Sequence, residues 1–326
     1  MYPDGVPSTS LYEGYTFGFK WIDLANPPQN SNLARILQSG SEEETILKQQ
    51  GLYKWSNMVY SYMKRCLTFE QDKLIAISGV ARRLQPSIQS DYLAGLWKTD
   101  LPLQLLWRGY SLRGVTKVPT RTDAYCAPSW SWASVTGHIL VHNLALYILP
   151  QGKVYMIQIL ESNIFLKTGD TMGQVSGGSL KLRGWLRSFE LITNSDHLHF
   201  VYRGKSVAKA MVDDMHSQKN SKWYCLPIIA QRFYSASSTA IWGLVLDRSG
   251  PLGQYRRVGL FHTHTAFVEF ELFERPSYPW EPSSMKVKFT RNVSWEDSFQ
   301  NQTAVPELHD SREEENDWVE SVITIV

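Results

Sequence analysis

"APSWSWASVTG" (residues 127–137) is the stretch on which the fold turns. Two tryptophans stand two apart, each after a serine, behind Pro128 and ahead of Gly137. In a strand, successive side chains point to opposite faces. The spacing therefore predicts Trp130 and Trp132 on one face, with Ser129, Ser131 and Ala133 on the other. The indole face is then either packed core or an open aromatic platform. A buried indole removes about 150–250 Å² from water. Core packing is the expectation, with the small residues opposite leaving room for a helix.

Upstream the pattern is helical. Ser41 and Glu44 have capping-box spacing, and the acidic first turn suits the helix dipole. Leu52, Trp55, Val59, Tyr62, Met63 and Cys66 then share one helical face, with Gly51 as a candidate kink. Thr68 and Gln71 repeat the capping-box spacing before a second stripe of Leu74, Ile77, Ser78, Ala81 and Leu84. "YLAGLW" (92–97) is a short apolar piece. Thr99 and Asp100 ahead of Pro102 predict a third helix start, followed by Leu105, Leu106 and Trp107.

After Pro119 the texture changes. Segments 139–149, 153–168, 178–186, 198–203, 222–235, 241–248 and 256–272 carry β-branched and aromatic residues between Gly, Pro, Asp and Ser clusters, and predict strands. "VITIV" at 322–326 predicts a terminal strand docked on the sheet, since an apolar end left in water forgoes its burial. The expected class is α+β: an N-terminal helical layer packed on a mostly antiparallel β-sandwich or partly open barrel. The expected divisions are a poorly structured lead-in (1–40), a helical region (41–118), a β-rich domain (119–290) and an acidic segment ending in a strand (291–326). Trp55, Leu74, Trp97, Trp107, Trp130, Trp132, Trp185 and Trp242 are the large side chains expected in the core.

The totals narrow the function classes. A net charge of +2 over 326 residues gives no electrostatic case for nucleic acid or an anionic membrane. Cys66, Cys126 and Cys225 are far apart and form no CxxC pair, so neither a disulfide framework nor structural zinc is expected. The first residues lack the basic start and apolar core of a secretory signal, and no apolar run reaches a membrane span. A reducing cytoplasm is the expected setting.

The constellations that carry chemistry are weak. His197 with His199, and His262 with His264, each have the spacing that sets two imidazoles on one strand face, but neither pair has a third ligand at a telling distance. Asp213, Asp214 and His216 fall in a polar stretch whose default is solvation. "GQVSGGSLKLRG" (173–184) precedes a strand and matches neither phosphate-binding pattern. No GxSxG elbow is present. Arg82 with Arg83, and Arg256 with Arg257, are too short to form a nucleic-acid footprint. No catalytic, cofactor-binding or metal-ligating residue is assigned.

Taken in order, these segments resemble a known family. "WSNMVYSYMKRCLTFEQDKLIAISGVA" (55–81), "YLAGLWKTDLPLQLLWR" (92–108) and "APSWSWASVTGHI" (127–139) resemble successive blocks of fungal heterokaryon-incompatibility (HET) proteins. "GQVSGGSLKLRGWL", "WYCLPI", "IWGLVLD", "YRRVGLF" and the final "ITIV" resemble their β-rich tail. The defining N-terminal, TIR-like domain of that family has no counterpart, and neither does its Trp-x-x-Gln-Glu stretch. The resemblance thus implies the C-terminal portion of such a protein. It implies a role in nonself recognition and programmed cell death, a protein partner of the HET type, and no catalysis by this chain. Two further classes stay open at the level of sequence: an NAD-cleaving or hydrolytic enzyme, and an aromatic-rich carbohydrate-binding β-module.

Overall fold

The structure is a computed structural model describing residues 43–65, 67–109, 119–141, 153–194, 197–202, 205–214, 222–233, 238–264 and 319–326. The expectations placed on residues 1–42, 110–118, 142–149, 234–235 and 265–318, and on Cys66 and His216, lie outside these. Helix α1 (Glu43–Met63) buries Leu52, Trp55, Val59 and Met63, one stripe at the helical period. Gly51 does not break it. A Cβ at Gly51 would stand 2.6 Å from Ile88 Cγ1, so the glycine lets α1 lie close against α2 (Lys73–Ile88). Helix α2 buries Leu74, Ile77, Ser78, Ala81 and Ile88. The capping box expected at Thr68 is not formed. A 3₁₀ turn, Glu70–Asp72, intervenes, and Asp72 stands at the start of α2 without a side-chain cap. Its carboxylate accepts from Gln174 Nε2 at 3.1 Å instead.

"YLAGLW" is a tight hairpin of β1 (Tyr92–Leu93) and β2 (Leu96–Trp97). Ala94 and Gly95 form its two-residue loop at φ 46° and 99°, the positive angles such loops require. The third helix, α3 (Leu101–Gln104), is a single turn with Pro102 near its start. Fully buried Gln104 pins the hairpin, accepting from Trp97 N at 2.8 Å and donating to the carbonyls of Trp97 and Thr99. Short strands follow: β3 (Arg108–Gly109), β4 (Thr120–Arg121), β5 (Val135–Thr136) and β6 (Ile139–Leu140), with β3 paired to β6 and β4 to β5.

The double-Trp stretch is not a strand. Ser131 N donates to Pro128 O at 2.9 Å, and residues Trp132–Ser134 form a 3₁₀ turn. Ser131 caps that turn by accepting from Ala133 N at 3.0 Å. Serine side chains compete with ladder bonds by serving nearby main chain, and a proline cannot donate to a ladder. These local bonds override the alternating pattern, yet both indoles are fully buried.

The sheet holds nine strands among the described residues: β7 (Lys153–Tyr155), β8 (Ile157–Leu166), β9 (Val175–Asn194), β10 (His197–Tyr202), β11 (Lys205–Val212), β12 (Lys222–Phe233), β13 (Ser238–Arg248), β14 (Gln254–His264) and β15 (Val319–Ile325). Hairpin pairings link β9 to β10, β10 to β11, β12 to β13 and β13 to β14. The pairs β11–β14 and β12–β9 then close these six strands into a circuit. Of the two expected arrangements the barrel is the one adopted; the six-strand circuit closes on itself, while β7 and β8, each paired on one side only among the described residues, stay at sheet edges. The long strand β9 runs on past the circuit, where it pairs β8 on one side and β15 on the other.

Alternation along the strands serves two cores. Leu226, Trp242, Leu244, Leu246 and Leu260 join the helices' apolar stripes in one large cluster. Phe189, Phe200, Trp223, Cys225, Ile241, Val245 and Phe261 form a second cluster on the other face, inside the circuit. Trp55, Leu74, Trp97, Trp107, Trp130, Trp132 and Trp242 are all buried. Trp185 departs from expectation and is only partly buried. It lies on the opposite face of β9 from the buried Leu182, Gly184 and Leu186, paired with Glu320 of β15.

Candidate functional site

Among the described residues, polar groups converge where helices, small ladders and barrel meet, beside the double-Trp stretch. Arg257 comes from β14, next to a bulge. Gly259 pairs with Val245 and Arg257 with Leu246, leaving Val258 as the extra residue. Such a bulge re-aims the side chains beside it. Asp213 follows β11 directly and is held by its N–H donating to Val258 O at 2.8 Å. Arg121 comes from β4.

The guanidinium of Arg257 is fully buried and grips Asp213 with two prongs, Nε to Oδ2 at 2.9 Å and Nη2 to Oδ1 at 3.1 Å. It also donates to the carbonyls of Leu105 and Trp107, and lies 3.5 Å above the Trp107 ring. Arg121 Nη2 reaches Asp213 Oδ2 at 3.0 Å and Arg257 O at 2.5 Å. Its Nη1 donates to Ser134 Oγ and to Ser129 O. Ser129 Oγ accepts from Arg257 N at 2.9 Å and donates to the main-chain oxygen of Val326. Burial pulls both guanidinium groups below their ordinary value, and Asp213 acts against that pull. A paired and fully hydrogen-bonded set of this kind offsets its desolvation, while one member alone would not.

The double-Trp stretch is fastened on its helical side as well. Ser131 Oγ donates to Ala94 O at 2.5 Å. Trp132 Nε1 at 2.7 Å and Trp55 Nε1 at 3.1 Å converge on Gly95 O. Trp107 Nε1 donates to Trp130 O at 2.8 Å. Lys73, also buried, donates to the carbonyls of Val135 at 2.7 Å and Ala133 at 3.3 Å. Burial lowers the Lys73 pKa against the pull of Cys126 and Glu70. Neither indole is open as a ligand platform.

Strand register sets His199 opposite Lys209, and Lys209 opposite His262. Among the described residues no group of His, Cys, Asp or Glu is placed to hold a metal ion. The expected solvation of Asp213 is overturned, for its side chain is 1% exposed. Arg121, Lys73 and Arg257 carried no role in the sequence reading. An arginine set inside the apolar run "RRVGLF" (256–261) was the available signal, because a buried charge demands a partner.

Fold and site together define an α+β protein in which a helical layer is fastened to a closed sheet through a buried Arg–Asp–Arg hub. No family model, curated protein or solved structure matches the chain. No helix among the described residues is long and apolar enough to cross a membrane.

Proposed function

We propose that this chain is a non-catalytic interaction module of the heterokaryon-incompatibility type, acting in the cytoplasm on a protein partner of that kind and not on nucleic acid. The observation that carries this reading is the commitment of the double-Trp stretch. Its serines and carbonyls and the Trp132 indole, with Arg121, Asp213 and Arg257, bond to one another and to the fold. Groups locked in this way serve architecture. The Asp213 carboxylate accepts three arginine bonds within the fold. The resemblance of residues 55–81, 92–108 and 127–139 to successive HET blocks supplies the biological class.

Two measurements test the proposal. Purified protein incubated with NAD is expected to release no nicotinamide above a boiled control, and sustained release would establish an enzyme instead. Proximity labelling in a fungal cell is expected to recover a HET-type protein. Recovery of abundant unspecific proteins alone would count against the interaction role.

A further inference from the structure

We draw no further inference here: the strongest candidate, the surface patch of exposed Phe69, Ile75 and Phe165 beside Gln174, where the start of α2 meets the β8–β9 hairpin, carries nothing, because nothing in the structure shows what covers it.

Discussion

Asp213 shows how one side chain can hold three elements of a fold. Its carboxylate accepts from Arg257 and Arg121, which belong to β14 and β4, while its own main chain is tied to the bulge at Val258. Removing one member of a buried pair strands the other, at a cost of about 3–5 kcal/mol. Asp213→Ala is therefore expected to lower denaturant stability by about that amount, and Asp213→Leu with Arg257→Met to recover part of the loss. Equal losses in the single and double variants would show that the pairing is not what the fold depends on. A second expectation concerns pH. Burial, followed by Asp72, raises the Tyr62 pKa to about 12; burial, followed by Cys126, does the same for Tyr125; and burial raises that of Tyr92 as well. A group whose folded pKa lies above its unfolded value stabilises fully below the unfolded value and loses that contribution as pH climbs through the folded one. Lys73 has the opposite sense. Its folded pKa is lowered, so stability rises as pH climbs from that value towards 10.5. Melting temperature should accordingly fall as pH rises from 10 to 12. Tyr92→Phe should make that fall shallower and cost little at pH 7, because the Tyr92 hydroxyl lies near the Gly95 main chain without a properly formed hydrogen bond. An unchanged alkaline slope in this variant would assign the loss to other groups.

At the scale of elements, the hairpin of β1 and β2 is a socket for the double-Trp turn. The Gly95 carbonyl receives two indoles, and a Cβ on Gly95 would sit 2.7 Å from Trp132 Nε1. With φ at 99° as well, Gly95→Ala meets both backbone strain and overpacking, and is expected to cost about 2–4 kcal/mol. Gly79→Ala in α2 meets nothing within 4 Å and is expected to stabilise by at most about 1 kcal/mol. Urea melts of the two variants side by side measure the contrast. These elements also show what a sequence reveals. Helices α1 and α2 and the strand β15 were legible because their apolar residues recur at the period of the element they form. The double-Trp stretch was misread because its alternation mimics a strand, while Pro128 and Ser131 divert the main chain into turn bonds. Strand β11 was not anticipated, since its inward positions are Ala208 and Ala210. Small residues suffice there because Phe200 and Phe261 fill the barrel between them. Closure of the circuit and the Arg–Asp–Arg hub both join residues far apart in the chain, which no local period encodes.

Across the whole molecule, the large core runs without a break from Leu52 of α1 through Trp97, Trp130 and Trp132 to Leu226, Trp242 and Ile325 of the sheet. The inner face of the barrel has its own cluster, but β12, β13 and β14 contribute to both. Losing either core therefore strips one face from strands the other core needs. Helical layer and barrel are expected to unfold together, although the chain is long enough for two domains. The double-Trp turn is the point at which to challenge this, since it touches both. Trp132→Ala and Trp130→Ala each remove a fully buried indole and are expected to cost about 3–5 kcal/mol. In a single cooperative unit, tryptophan fluorescence, which reports on Trp55, Trp97 and Trp107 beside the helices as well as on Trp185, Trp223 and Trp242 of the sheet, and far-ultraviolet circular dichroism, which reports on the backbone of both, shift to lower denaturant by the same amount and stay superimposed. If the fluorescence transition moves while the dichroism transition stays, the layer and the barrel are separate folding units. The turn would then be a surface attachment, not part of a common core.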